Sequence, residues 1–282
     1  MPSHHLNDTD KGSQTLFLHS TDAVISVSDA EKIFYLNEAV YAPAGYRILI
    51  GLTNMTLPNA MYNVTSSSNN IVIAGATYTI AAGNYSADDL ATALTTAINS
   101  ATGGTVSFNE TNSNFTFTFS SGKIINSSTL ERQLGIKGQT PTASVTSYTG
   151  TNICDLGGVT NIYVRIRNLT MNNLDSKGRV NNIIASIVNN TNYGGYIFFV
   201  PPEVLYYQVS ETNINHLDIQ LTDQEGTVLD LNGADFNITL TIHFVKQRET
   251  SFRSSLLREI KERYKVPPSP SSPKNREPEN KK

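Results

Sequence analysis

Histidine and cysteine are the residue types that most readily act as bases, nucleophiles or metal ligands. This 282-residue chain contains five histidines and one cysteine. A nucleophilic site needs Ser or Cys beside a base that a third group orients. His4 and His5 lie in a polar N-terminal stretch, and His19, His216 and His243 lie at the ends or on the polar faces of predicted strands. No Gly-x-Ser-x-Gly motif occurs. The sequence therefore predicts no catalytic residue and no enzyme.

Metal-binding spacings are also missing, because the chain has no His-x-His, no Cys-x-x-Cys and no Asp-rich loop. The adjacent carboxylates Asp88 and Asp89 follow Ser86 at the start of an apolar repeat with helical spacing. Carboxylates in a first helical turn suit the helix dipole, so this pattern indicates a cap. The glycine pairs lack the Lys-Ser or Lys-Thr of a phosphate-binding loop. We predict no metal and no cofactor.

The termini and the single cysteine restrict the class of protein. Cys154 cannot form an intrachain disulfide, which fits a reducing compartment. The stretch Met1–Gln14 is polar and unlike a secretion signal, and no run reaches the roughly 18–20 apolar residues of a membrane span. We therefore expect a soluble protein.

Charge separates the chain into two parts. Residues 1–245 contain 10 Lys and Arg against 19 Asp and Glu, a net charge of −9, whereas residues 246–282 contain 11 against 5, a net charge of +6. Phosphate neutralisation dominates nucleic-acid binding, so the acidic part is a poor surface for it. Any contact with a polyanion belongs to the basic tail.

Alternation of apolar and polar residues predicts strands in two blocks, at 15–58 and 151–245. The clearest run is Phe236–Phe244, where every second side chain is apolar over nine residues. About ten strands at this spacing indicate an antiparallel β-sandwich, and eight strands in two sheets would make a jelly roll. The predicted fold class is mainly β, an antiparallel jelly-roll sandwich.

The segment 59–150 interrupts these strands and has a different pattern, which predicts a small α+β insertion. Ile71–Ile80 reads as one strand, and the apolar residues of Leu90–Ile98 recur at helical spacing after the Ser86 cap. Phe115–Phe119 alternates strictly, and Ser128–Gly135 resembles a capping box that opens a short helix.

The two ends of the chain are expected to lie outside the sandwich. Residues 1–14 and 267–282 are predicted to be disordered. Residues 246–266 predict a basic amphipathic helix, for which three roles are open: binding a neighbouring subunit, weak contact with nucleic acid or a membrane, or packing on its own sandwich. The candidate partner-binding residues of this helix are Phe252, Arg253, Leu256, Leu257, Arg258, Ile260, Lys261, Arg263 and Lys265.

Six segments together carry a resemblance to a known family: "YTIAAGNYSADDLATALTTAI" at Tyr78–Ile98, "VSFN" at Val106–Asn109, "NFTFTF" at Asn114–Phe119, "LERQLGI" at Leu130–Ile136, "NIYVRIRNL" at Asn161–Leu169 and "FNITLTIHFV" at Phe236–Val245. Their order resembles that of the penton-type minor capsid proteins of nucleocytoplasmic large DNA viruses and virophages. The resemblance spans about residues 16–245, and the basic tail has no counterpart in it.

The resemblance implies a structural virion protein. It implies one jelly roll that forms homopentamers at the fivefold vertices of an icosahedral capsid assembled in the host cytoplasm, with the insertion projecting from it. The implied partners are the major capsid protein and other minor capsid proteins, and the family supplies no catalytic residues. The alternative is a fibre-like receptor- or carbohydrate-binding module, for which Tyr193–Tyr196 and Tyr206–Tyr207 are the candidate aromatic patches.

Overall fold

Two separate hydrophobic cores organise the chain in a computed structural model that describes residues 10–138, 143–171, 173–174 and 180–246. The larger core runs from Leu18 to Phe244 in sequence, and the smaller one from Val64 to Ile136. The chain passes from the first core to the second after Met61 and returns to the first at Val159. The smaller core thus belongs to a segment inserted between two strands of the larger unit.

The first sheet of the larger unit has four antiparallel strands and a short fifth. In spatial order they are β1 (Asp10–His19), β18 (Asn237–Lys246), β4 (Tyr46–Pro58) and β15 (Tyr196–Phe199), and β16 (Tyr207–Gln208) also pairs with β4. The central strand β18 carries the strict alternation seen in the sequence. Its residues Ile238, Leu240 and Ile242 are buried in the core, which confirms the predicted strand.

The second sheet packs its apolar face against the first. In spatial order it contains β14 (Ile183–Val188), β11 (Asn161–Ile166), β17 (Asn213–Thr222), β3 (Glu31–Tyr41) and β2 (Ile25–Ser28). The short β2 pairs only with the first residues of β3, up to Ile33. The rest of β3 is therefore an edge of the sheet. A 3-10 turn at Ser20–Asp22 links β1 to β2, and β12 (Asn173–Leu174) pairs with β13 (Val180–Asn181) before β14.

The order of the strands defines a jelly roll. The first sheet has the order β1-β18-β4-β15, and the main strands of the second have the order β14-β11-β17-β3. Strands near the two ends of the chain therefore lie side by side in each sheet, as two interlocked Greek keys require. The predicted fold class, a mainly β jelly-roll sandwich, is confirmed.

The described residues of the inserted segment form one α-helix and two three-stranded sheets. Helix α1 (Ala87–Thr102) packs its face of Leu90, Leu94 and Ile98 into the smaller core. The strands are β5 (Asn70–Ile73), β6 (Ala76–Thr79), β7 (Gly104–Asn109), β8 (Asn114–Lys123), β9 (Ile125–Ser128) and β10 (Val145–Thr149), in the orders β6-β5-β9 and β10-β8-β7. No helix among the described residues combines the length and apolar character needed to cross a membrane.

The ends of α1 follow the sequence prediction. The Ser86 hydroxyl accepts a hydrogen bond from the Asp89 backbone N–H at 3.2 Å and donates one to its carboxylate at 2.7 Å. Gly103 has φ +58, the left-handed conformation that ends a helix at little cost for glycine. The capping interpretation of Asp89 is confirmed, so this carboxylate is engaged by the helix terminus.

Three local predictions were wrong. Ile71–Ile80 is a hairpin of β5 and β6, because Ala74 and Gly75 have φ of +51 and +79 and form a two-residue turn. The predicted helix at Ser128–Gly135 is a single turn, closed by a 2.9 Å hydrogen bond from the Leu134 N–H to the Leu130 carbonyl oxygen. Residues 10–14, assigned to a disordered N-terminus, belong to β1, where pairing with β18 orders a polar stretch that lacks apolar alternation.

Asn63 closes the inserted segment where the chain enters and leaves it. Its side-chain amide donates to the carbonyl oxygens of Tyr85 at 2.8 Å and Leu156 at 3.1 Å. Its Oδ1 accepts from the Tyr85 N–H at 2.9 Å, and its own carbonyl oxygen accepts from Gln133 Nε2 at 3.0 Å. Asn63 is buried, and its side chain satisfies three backbone groups, two at Tyr85 and one at Leu156.

Candidate functional site

The three histidines in the described part of the chain are engaged in local contacts. His19 ends β1, and its ring nitrogen accepts from the backbone of the 3-10 turn. His216 stacks on Tyr35 with ring centroids 5.6 Å apart, and His243 meets Tyr206 edge-on at 4.5 Å. None of the hydrogen bonds or ion pairs found among the described residues joins a histidine to a carboxylate or to the cysteine. These contacts do not form the nucleophile-base pair that covalent catalysis requires.

The environment of Cys154 and the arrangement of the described acidic residues bear on two further kinds of site, a thiol nucleophile and a metal centre. Burial, and second the negative charge of Asp155, raise the pKa of the Cys154 thiol, which disfavours the nucleophilic thiolate. Within the described ranges, no three His, Cys, Asp or Glu side chains come together as metal ligands would.

Arg167 lies in an ion-pair cluster on the second sheet. Its Nη2 is 2.5 Å from Glu31 Oε1 and 2.9 Å from Asp218 Oδ2, so it links β3 to β17 just after the end of β11. The hydrogen bond to Asp218 is the main cause that raises the pKa of the guanidinium. Both carboxylates are paired to a permanent cation, so the cluster supports the sheet.

The distribution of exposed apolar residues is the strongest functional signal of the surface. Among the described residues, 13 large apolar side chains are exposed, and 12 of them lie on β1, β2, β3, β15, at the end of β14 or in the loops beside these strands, toward the two edges of the sandwich. The exception, Ile153, lies in the insertion. The central strands β4, β18, β11 and β17 carry none. Large exposed apolar patches on soluble domains mark interaction sites, so the two edges are the candidate functional surfaces.

The first surface, here called the β15 side, lies at the edge formed by β14 and β15. It consists of Val188, Tyr193, Tyr196, Phe198, Val200 and Leu205. Tyr196 and Phe198 alternate with the buried Ile197, so both project from the sheet, and their rings stack with centroids 6.1 Å apart. Phe198 is 75% exposed. The β15 side is therefore a projecting aromatic ridge.

The second surface, here called the β1 side, lies at the opposite edge, formed by β1, β2 and the free half of β3. It consists of Phe17, Val24, Ile25, Val27, Tyr35 and Tyr41. A groove of about 360 Å³ runs between β1 and β3, and Phe17 and Tyr35 both line it. Phe17 is 80% exposed. The β1 side is thus concave where the β15 side projects.

Charged residues are scarce on both sides. No Asp, Glu, Lys or Arg occurs from Val180 to Pro202, the stretch that includes β14 and β15. On the β1 side the stretches Gly12–Thr21 and Ala23–Ser28 are uncharged, and the exposed Asp22 and Glu38 lie beside them. Proteins commonly protect exposed sheet edges with charged side chains, whereas depletion of charge marks the centre of an interface. The β15 side therefore has the composition of a covered surface, and the β1 side has it along β1 and β2.

The residues singled out from the sequence have different outcomes. The partner-binding candidates from Phe252 to Lys265 lie outside the described residues and stay a prediction. Of the two aromatic patches, Tyr193 and Tyr196 are exposed, whereas Tyr206 and Tyr207 are half-buried, and burial raises the pKa of both phenols.

Sequence analysis missed Phe17 and Phe198. Both lie in apolar runs in which nothing distinguishes the exposed face from the buried one. The absence of charge from Val180 to Pro202 was a signal that could have pointed to the β15 side.

The strand order places the chain in the class of jelly-roll β-sandwich proteins. The sequence matches no protein-family model and no curated protein. Among solved structures, the chain is similar to the crystal structure of the selenomethionine-labelled mavirus penton protein, with a TM-score of 0.48 and 11% sequence identity. The similarity covers 83% of this chain and 100% of that one.

Proposed function

We propose that the chain is a structural subunit of a virus particle, a minor capsid protein of penton type that assembles with copies of itself and with other capsid proteins. The observation that carries the proposal is that 12 of the 13 exposed large apolar side chains of the described residues lie toward two opposite edges of the sandwich. Water-exposed apolar area of this kind is unfavourable, and association removes it from water. A subunit with two such edges has a neighbour on each side.

Two further observations support this role. The jelly roll is an architecture common in viral capsid proteins, and the segments at Tyr78–Ile98 and Phe236–Val245 resemble penton-type sequences. His216 is engaged in a ring stack, Asp89 in a helix cap, and Glu31 and Asp218 in ion pairs. We therefore propose a protein without enzymatic activity that resides in the virion.

The basic segment after the sandwich completes the proposal. Phe252, Leu256 and Ile260 fall on one face at helical spacing, among Arg and Lys residues that oppose the net charge of −9 on residues 1–245. We propose that this face binds a neighbouring capsid protein. Replacing Leu256 and Ile260 by Glu should weaken binding to capsid shells while the subunits still associate with one another.

The proposed function is tested by measuring the mass of the assembled chain in solution. Native mass spectrometry of the full chain at micromolar concentration should show a cyclic oligomer, and the oligomer should bind shells of the major capsid protein. A chain that stays monomeric at these concentrations and does not bind the shells contradicts the proposal.

A second candidate, a carbohydrate-binding module, is favoured by the aromatic ridge. Tyr196 and Phe198 stack, and Tyr62 and Tyr193 lie with ring centroids 5.9 Å apart, so exposed ring faces are available to a sugar. A glycan array should then show binding that Tyr196→Ala abolishes. An array without binding removes this candidate.

A further inference from the structure

We infer that the subunits associate head to tail, with the aromatic ridge on the β15 side of one copy seated against the groove on the β1 side of the next. The inference rests on the proposed assembly function and adds to it the two surfaces that meet. It commits to a second copy of this chain as the occupant of both edges.

The position of the two edges within one sheet supports this pairing. β1 and β15 are the outer strands of the first sheet, separated by three strand spacings, or about 14 Å. They face away from each other, so one copy cannot cover both edges of a single neighbour through one contact. If two β15 sides met in a twofold dimer, the β1 sides would stay exposed, whereas head-to-tail contact covers both with one type of interface.

The shapes of the surfaces also differ in a complementary way. The ridge projects as a stacked pair, with Tyr196 59% and Phe198 75% exposed. The groove is lined by Leu16, Phe17, Tyr35 and Leu36 from both sheets, and the polar residues Gln14, Asn37 and Glu38 also line it. An aromatic side chain that packs on the apolar residues of the groove and is excluded from water would form the centre of the interface.

The exposed area is enough for a specific contact. At full exposure an aromatic side chain presents ~200 Å² and an aliphatic one ~100 Å² of apolar area. With the observed exposures, the six residues of the β15 side and the six of the β1 side together present on the order of 1,000 Å². A biological interface should bury about 1,000 Å² in total. The apolar residues alone meet this requirement before any polar rim is added.

The decisive experiment uses two full-length variants that each block one side. Phe17→Glu places a charge on the β1 side, and Phe198→Glu places one on the β15 side. Each variant alone should be monomeric by native mass spectrometry, with subunit affinity reduced on the order of 100-fold or more. In an equimolar mixture, the intact β15 side of the first variant meets the intact β1 side of the second. The mixture should therefore form a heterodimer and no larger species.

Ile153→Glu is the matched control, because Ile153 is as exposed as Phe198 but lies in the insertion. This variant should assemble like the wild type, and circular dichroism should show that all three variants fold. If Phe17→Glu and Phe198→Glu both assemble normally, the inference is overturned but the proposed function stands. A homodimer of either variant indicates twofold contact and also overturns it. A monomeric wild type overturns the proposed function itself, and glycan binding lost in Phe198→Glu alone assigns the ridge to a sugar.

Discussion

The ring of Tyr206 meets the imidazole of His243 edge-on, with centroids 4.5 Å apart and ring planes at 82°. Residues 200–206 connect β15 to β16 and fold across the outer face of the first sheet. In this segment the Tyr206 ring lies close to Gly51, and a Cβ atom added to this glycine would be 2.9 Å from Tyr206 Cδ1. Gly51 thus makes room for the segment. Since Val200 and Leu205 belong to the same segment, the packing at Gly51 also positions part of the β15 side.

Gly51→Ala should therefore displace this segment. The new methyl group would lie 2.6 Å from Val204 Cγ1, a contact that real side chains do not tolerate. Overpacking of this kind costs about 1–3 kcal/mol, measurable as a lower free energy of unfolding in urea. Gly157→Ala is the control, because its Cβ would meet no atom closer than 3.3 Å. Adding Val204→Ala should recover part of the loss. A Gly51→Ala protein as stable as the wild type would show that the segment lies elsewhere.

Arg167→Met should destabilise the sandwich by leaving two carboxylates without their cation. The Glu31 and Asp218 side chains are only 10% and 14% exposed, so water replaces the lost partner poorly. Breaking a buried pair costs several kcal/mol, and because Arg167 is 39% exposed, we expect a smaller loss of about 1–2 kcal/mol. Urea unfolding measures the loss. Adding Glu31→Gln and Asp218→Asn should restore most of it, and a triple variant no more stable than Arg167→Met would contradict this account.

Asn63→Asp should loosen the insertion while the sandwich stays folded. The substitution removes the N–H donor from the carbonyl oxygens of Tyr85 and Leu156 and places a carboxylate against them. Two buried acceptors without donors cost about 2–4 kcal/mol. Hydrogen exchange followed by mass spectrometry should show faster exchange within residues 64–136, because the two cores are separate. Equal acceleration in β18 and β4 would mean that the two cores unfold together.

Alkaline pH should weaken the fold through Tyr207. Burial raises the pKa of this phenol above its ordinary value of 10.0, so the folded protein keeps the proton at pH values where the unfolded chain has lost it. The stability that depends on Tyr207 keeping its proton is fully present below about pH 10 and is lost as the pH rises through the folded-state pKa. Tyr207→Phe should match the wild type near pH 8 and be more stable than it above about pH 10. Parallel stability curves for the two proteins across this range would contradict the expected linkage.

The sequence alone determined most of the secondary structure. Strict alternation at Phe236–Phe244 predicted β18. Successive side chains of a strand point to opposite faces of the sheet whichever strand pairs with it, so this signal is local. Ser86 and Gly103 marked the ends of α1 for an equally local reason, since caps act within one helical turn. The local pattern gave a wrong prediction at Ala74, where a two-residue turn divides a run that reads as one strand. Alanine is not a typical first residue of such a turn, so the sequence did not indicate it.

Which edges and faces remain open was decided only by the tertiary structure. Phe17 lies in the apolar run Leu16–Leu18 and Phe236 opens an alternating run, yet Phe17 is 80% exposed and Phe236 is buried. The difference depends on which strands lie alongside: β1 is an edge strand, and its partner β18 comes from the other end of the chain. Local sequence does not encode such distant pairing, because a side chain's exposure depends on neighbours that folding brings to it. For the same reason, the ridge at Tyr196 and Phe198 and the groove beside Phe17 became visible only in the folded chain.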